Sequence, residues 1–163
     1  MVNTKITDNP EYLDIIKFIV GNEPVRSYHI TKYFNIDKGH NTKCNFSMKL
    51  QRLKKIGFIE SSQPKNRARH GKYSTYSVDW TILISTFFNY LMIKLGANST
   101  IKFLFDYGFF KKDIEKYKKL IKFRLNNPID NKNPPKTITE FFEEISNIWI
   151  ESNLIYLEKK LKK

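Results

Sequence analysis

The residues of this sequence best suited to bind an anion are a group of cations between positions 65 and 72. Lys65, Arg67, Arg69, His70 and Lys72 occur within this short stretch, with no acid among them. Lys and Arg bind phosphates, and Arg also enters narrow, A·T-rich minor grooves. The lysines and arginines are candidate DNA contacts, with Arg67 and Arg69 suited to the minor groove. A solvated turn is the alternative.

A helix predicted within "CNFSMKLQRLKKI", residues 44–56, provides a second surface for such chemistry. Phe46, Leu50, Leu53 and Ile56 recur at helical spacing and are predicted to face inward. The opposite face has amide and cationic side chains and no acid. The candidate DNA contacts of this helix and its start are Lys43, Asn45, Met48, Lys49, Gln51, Arg52 and Lys55.

These side chains suit different parts of a DNA duplex. Amide and guanidinium groups form paired hydrogen bonds with purine edges in the major groove, so Asn45, Gln51 and Arg52 are the candidates for base contacts. Met48 suits the methyl group of thymine. The lysines suit phosphates, which position a protein without reading sequence. An ordinary solvated helix face is the alternative.

The positive charge of the chain is concentrated around these two groups. The net charge is +13 and the isoelectric point is about 9.7, which favours nucleic acid or an anionic membrane as a partner. Residues 38–72 hold ten basic residues and one acid, whereas residues 1–37 hold four basic residues and five acids. This distribution favours a nucleic-acid surface over a generally basic exterior.

Motifs for catalysis, metal binding and membrane insertion are missing. The sequence has no phosphate-binding glycine loop, Gly-x-Ser-x-Gly, His-Glu-x-x-His or paired-cysteine motif, so we expect no enzyme, no cofactor and no metal. Cys44 is the single cysteine, with a redox-sensing thiol as a minor alternative. The apolar stretch 80–96 is too short and too polar for a membrane span. Because no signal-peptide pattern is present, we expect a cytoplasmic, nucleoid-associated protein; a viral or plasmid origin in a prokaryotic host stays open.

The elements that must position the basic groups follow in a regular order. The start signal "DNP" and the apolar pattern of 12–20 predict a first helix. A short strand at 24–26 follows. Next is a second helix at 28–34, capped by Ser27, with Ile30, Tyr33 and Phe34 inward. After the third helix, "FIESS" and "KYSTYSVDW" are predicted strands, which makes the basic segment between them a hairpin tip.

This order resembles a winged helix-turn-helix domain. The resemblance lies in "PVRSYHITKYFNI", in "FSMKLQRLKKIGFIE" and in the pattern Leu50-x-x-Leu53-x-x-x-Gly57-Phe58-Ile59-Glu60, and it covers about residues 10–80. It implies a transcriptional regulator of archaeal or bacterial type that binds double-stranded DNA through a recognition helix and a basic wing. One departure is the distance from Ile36 to Phe46, which requires either an extra turn at the start of the third helix or a longer loop.

The rest of the chain, residues 81–163, is predicted to be helical. Helices are expected at 80–95, 99–110, 111–126 and from a capping box at Thr137 and Glu140 to about Leu161, with a Pro/Asn-rich loop at 126–136. This half has more apolar surface than its helices bury, so we expect a homodimer held by 81–163. Tail helices packed on the first domain of a monomer are the alternative. The aromatic stretch 87–110 is interpreted as core, with a ligand pocket as the alternative.

The predicted fold is therefore mainly α with a small β-wing: a winged helix-turn-helix domain at 1–80 and a helical dimerisation or extension region at 81–163. Two other functions stay open. One is an architectural or replication-associated protein that binds nucleic acid with low sequence specificity. The other is a winged-helix module that binds a protein partner.

Overall fold

The computed structural model describes residues 4–34, 40–62, 74–95 and 114–161, with side chains described within 6–34, 46–62, 74–94 and 114–152. The helices are α1 (Thr4–Thr7), α2 (Pro10–Asn22), α3 (Ser27–Tyr33), α4 (His40–Ile56), α5 (Trp80–Leu95), α6 (Ile114–Asn126) and α7 (Ile138–Leu161). The strands are β1 (Val25–Arg26), β2 (Ile59–Ser62) and β3 (Thr75–Val78). The described part is mainly helical with one small antiparallel sheet, as the sequence predicts at this level.

The three strands pair antiparallel in the order β1-β3-β2. At one end of the sheet, Thr75 is the register partner of both Arg26 and Ser62. We call these three residues the outer row of the sheet. Because β2 ends and β3 begins at this row, the connecting segment 63–74 starts and finishes there.

α2 is the central helix, and its start and inward face agree with the prediction. The Oδ1 atom of Asn9 accepts a hydrogen bond from the backbone N of Glu11 at 3.0 Å, and Pro10 is the first helical residue. The apolar face of α2 packs against β3, α6 and α7. The predicted inward residues are all buried: Tyr12, Leu13, Ile15, Ile16, Ile19 and Val20.

Two details predicted for α3 are wrong. The helix begins at Ser27 itself, and the cap position belongs to Arg26, whose side chain makes no capping bond. Tyr33, predicted to face inward, is 65% exposed and stacks on Phe18 with 4.2 Å between ring centroids. A seven-residue helix has about two turns, so its inward face holds few side chains. Ile30 fills that face, and Tyr33 lies at its edge.

α4 begins at His40, about one turn before the predicted segment 44–56. Of the two alternatives for the stretch between Ile36 and Phe46, the extra helical turn is therefore correct. Residues 35–39 lie outside the described part of the chain.

Gly57 ends α4 and directs the chain into β2. Its φ is 89°, a backbone conformation that residues other than glycine rarely adopt. The backbone N atoms of Gly57 and Phe58 donate to the carbonyls of Lys54 and Leu53, both at 3.1 Å, which is a Schellman arrangement. A Cβ at position 57 would lie 2.7 Å from Cδ1 of Ile82 on α5, so the Ile82 side chain would have to move.

The tail helices share the core of the first half of the chain. Buried apolar residues from both halves form one cluster, and α6 and α7 both pack against α2. α5 has the predicted bounds. Half of the predicted capping box is formed: the backbone N of Glu140 donates to Oγ1 of Thr137 at 3.1 Å, whereas the Glu140 carboxylate accepts from the backbone N of Lys136 at 2.7 Å. The predicted helix at 99–110 lies outside the described residues, and the division of the chain at residue 80 stays a prediction.

The middle of α5 places apolar residues in this core. Phe87 and Leu91 are fully buried, and the Phe87 ring lies 5.6 Å from that of Phe142 on α7. The described beginning of the aromatic stretch 87–110 is therefore core. In the described part of the chain, no helix combines the length and the apolar composition that crossing a membrane requires.

Candidate nucleic-acid interface

The exposed side of α4 is positioned by its buried side. Phe46, Leu50 and Leu53 are buried in the core, at the helical spacing that the sequence predicts. The residues on the other side are exposed, and we call them the α4 face: Met48, Gln51, Arg52 and Lys55. The side chains of Lys43 and Asn45 lie outside the described residues, so their predicted contacts stay predictions.

Two cations of α4 are tied to α2. Lys49 forms an ion pair with the carboxylate of Glu11, and 24% of its side chain is exposed. Nη1 of Arg52 donates to the hydroxyl of Tyr12 at 3.4 Å. Lys49 thus holds α4 against α2, and a phosphate contact would have to compete with Glu11. Arg52 keeps further N–H donors for a ligand, because a guanidinium has five.

Sequence reasoning missed these two contacts because both partners lie about 40 residues away on another helix. Glu11 lies in the first turn of α2, where an acid is favoured by the helix dipole and needs no other explanation. Only the packing of α2 against α4 brings its carboxylate to Lys49. No local sequence signal identifies such a pair.

The α4 face is strongly cationic even after this pairing. α4 contains no acidic residue, and its last turn adds Lys54 and Lys55, both exposed. Gln51 provides an exposed amide between Met48 and Lys55 on the same face. Met48 is 52% exposed, which leaves its thioether available to a partner. One surface of α4 therefore presents an amide, a thioether and cations.

The outer row of the sheet adds a cation that the sequence prediction omitted. Arg26 is exposed at the end of β1, and it lies beside Thr75 at the point where segment 63–74 joins the sheet. The strand at 24–26 was predicted, but its register was not. Without the register, Arg26 could not be placed near the basic segment. The candidate contacts Lys65, Arg67, Arg69 and Lys72 lie outside the described residues.

Comparison with known proteins finds no matching family model, no matching curated protein and no matching solved structure. Among the described residues, no group of three or more His, Cys, Asp or Glu side chains is arranged to hold a metal ion. The geometry and charge of the candidate interface are therefore the basis for inferring its function.

Proposed function

We propose that the protein binds double-stranded DNA sequence-specifically, as a transcriptional regulator of the winged helix-turn-helix type. α4 is the recognition helix in the major groove, and the basic segment 63–73 lies on the minor groove or the backbone. The observation that carries this proposal is the α4 face: an exposed amide, an exposed thioether and cations on a helix without acids.

The element order supports the proposal. The described elements follow the order helix, short strand, two helices and two further strands, which is the order on which the resemblance rests. The three strands pair in one sheet. The outer row of the sheet carries Arg26 beside the ends of the basic segment. Phosphate contacts from this row and base contacts from α4 would then act on one duplex.

The proposed DNA-binding protein is a homodimer held by residues 81–163. Exposed apolar side chains near the end of α5 support this: Ile93 is 83% exposed and Met92 beside it is 37% exposed. Burying such residues between two copies favours association. Light scattering is expected to give the dimer mass at micromolar concentration. A monomer mass would remove the dimer from the proposal and leave the α4 face unaffected.

The DNA-binding proposal is tested by selecting bound sequences from a random duplex pool and measuring affinity by anisotropy at several salt concentrations. Gln51→Ala is expected to weaken binding to the selected site about tenfold and to leave non-specific binding unchanged, since it removes a base contact. Lys55→Ala is expected to weaken both and to reduce the salt slope by about 0.9, since it removes a phosphate contact.

The matched control is Lys119→Ala on α6, an exposed lysine of the tail. It is expected to retain affinity and salt slope. Arg67→Ala combined with Arg69→Ala is expected to weaken binding and to flatten its salt dependence. Affinity that is unchanged in all α4 and segment variants, or lowered equally by Lys119→Ala, would contradict the proposal.

A low-specificity architectural or replication role is the second candidate, and one observation favours it. Because Arg52 already donates to Tyr12 on α2, Gln51 is the candidate base contact with a described side chain that is not tied to another helix. The ratio of specific to non-specific affinity distinguishes the two functions. A regulator is expected to show a ratio of about 10³ or more, and an architectural protein a ratio near one.

A further inference from the structure

A cavity of about 360 Å³ lies between the start of α2, the end of α6 and the proline-rich connection that leads to α7. Its apolar lining includes Leu13, Leu125 and Phe141, which are all buried. Prolines form its walls: Pro10, Pro128, Pro134 and Pro135. A volume in this range is at the lower end of what small-molecule sites use, which run from about 300 to 1,000 Å³.

The charged groups of the cavity are mostly cations. Lys17, Arg124 and Lys136 line it, against one carboxylate, that of Asp14. The Nε atom of Arg124 is buried and has no hydrogen-bond partner within the described part of the chain. Because Nε is closed off from solvent, an anion in the cavity would bind the Nη atoms of Arg124, a residue of the cavity lining.

We propose that this cavity binds a small carboxylate ligand with an apolar body. The carboxylate accepts hydrogen bonds from Arg124 and from Lys136 at the rim, and the apolar body packs on Leu13 and Leu125. The combination of apolar lining and few convergent polar groups is what distinguishes a ligand site from a surface patch of lysines. This inference does not rest on the proposed DNA binding.

Such a ligand would contact both halves of the chain. Leu13 belongs to α2, Leu125 to α6 and Phe141 to α7, so a bound molecule would join the central helix to two tail helices. A ligand that binds only the folded state stabilises it by an amount that rises with the logarithm of one plus the ratio of the free ligand concentration to Kd. Binding is therefore also expected to raise the melting temperature of the chain.

The test uses phenylbutyrate as the probe, its neutral amide phenylbutyramide, and inorganic phosphate, each added to the full chain. Calorimetry is expected to show phenylbutyrate binding at least tenfold more tightly than either of the others. Methyl NMR is expected to show shifts at Leu13 and Leu125. No binding of phenylbutyrate at millimolar concentration, equal binding of the amide or phosphate, or methyl shifts confined to other residues would overturn the proposal.

Two variants locate the carboxylate. Arg124→Met retains an unbranched apolar stem and removes the guanidinium charge, and Lys136→Met removes an exposed cation at the rim. Each is expected to weaken phenylbutyrate binding about tenfold. Lys119→Met on α6 is the control, because Lys119 is exposed and outside the cavity, and it is expected to change nothing. If Arg124→Met does not fold, Lys136→Met decides, and an effect no larger than that of the control would overturn the proposal.

Discussion

The α4 face and the surroundings of Glu23 both contain charged groups, but they use them differently. On the α4 face, cations are exposed and no acid of the same helix accompanies them. Glu23 is only 14% exposed. Its two oxygens accept hydrogen bonds from the backbone N of Val78 and from Nε1 of Trp80, both at 2.9 Å. The Glu23 carboxylate is therefore paired and mostly buried, whereas the cations of the α4 face are exposed.

The contacts of Glu23 hold three parts of the fold together. Glu23 follows α2, Val78 and Trp80 belong to the β3–α5 corner, and Nζ of Lys122 on α6 lies 3.6 Å from Oε1 of Glu23. Lys122 and Lys118 also lie over the Trp80 ring, at 5.4 and 5.5 Å from its centroid. We call Glu23, Val78, Trp80 and Lys122 the Glu23 junction.

The largest expected effect comes from breaking the Glu23 junction. Glu23→Ala leaves the Trp80 and Val78 donors without their acceptor and is expected to lower the free energy of unfolding by about 3 kcal/mol. Urea denaturation measures this loss. Glu151→Ala, which removes an exposed acid on α7, is the control and is expected to have little effect. A loss for Glu23→Ala no larger than that of the control would refute the structural role of the junction.

The next effect concerns the end of the α4 helix. Gly57→Ala must adopt a positive φ and place a Cβ against Ile82, so it is expected to cost about 2 kcal/mol in unfolding free energy. Gly21→Ala is the matched control, because Gly21 lies within α2 with no atom within 4 Å of the added Cβ. Gly21→Ala is expected to stabilise by about 0.7 kcal/mol. Equal effects of the two substitutions would contradict the conformational argument.

A smaller effect separates paired from exposed cations within α4 itself. Lys49→Met removes the ion pair with Glu11 and is expected to lower stability by about 0.5 kcal/mol. Lys55→Met removes an exposed cation, with no expected change in stability and a clear loss of DNA affinity. Thermal denaturation and DNA anisotropy on both variants test this. A larger loss of stability for Lys55→Met together with a larger loss of DNA affinity for Lys49→Met would contradict this. Exposure would then not distinguish structural cations from binding cations.

The smallest effect is a dependence on pH in the tail. Burial, with hydrogen bonding and charge from Glu143, raises the pKa of Tyr90 from 10.0 to about 12. A hydroxyl whose folded pKa is raised stabilises the protein below pH 10, and this contribution is lost as the pH rises towards about 12. The hydrogen bonds that Lys94 and Tyr90 donate to Glu143 lower the pKa of its carboxyl, so its contribution to stability is lost when acid protonates it.

Glu143→Gln is expected to lower the pKa of Tyr90 only in part, because burial is the largest cause of its shift. Ultraviolet absorbance of tyrosinate during an alkaline titration measures the change, with Tyr90→Phe identifying the contribution of this residue. If the pKa of Tyr90 is unchanged by Glu143→Gln, the Tyr90 hydroxyl and the Glu143 carboxylate are not coupled in solution.

Local signals in the sequence predict most of the described secondary structure. The start of α2, the bounds of α5, the end of α4 at Gly57 and the capping box of α7 depend on residues within a few positions of each other. The apolar face of α2 is also predicted in full, because its periodicity is complete over three turns. The errors in α3 arise where a helix is too short for its periodicity to decide between Tyr33 and its neighbours.

The candidate interface is less predictable because part of it depends on contacts between distant residues. The helical period predicts which residues form the α4 face. It does not predict which cations of α4 already contact α2. Glu11 and Lys49 are 38 positions apart, so no local pattern connects them. Arg26 lies beside Thr75 only through the strand register. Side-chain types therefore predict a basic, polar helix face. Tertiary packing determines which side chains of that face are exposed.

The two tryptophans of the chain make these regions observable by fluorescence. Trp80 lies at the Glu23 junction beneath two ammonium groups, while Trp149 is buried in the tail, where its Nε1 donates to the hydroxyl of Tyr117 at 3.4 Å. Replacing Trp149 with Phe leaves a single emitter at the boundary between the central helix and the tail. Its emission then reports the opening of that boundary in real time, without an attached dye.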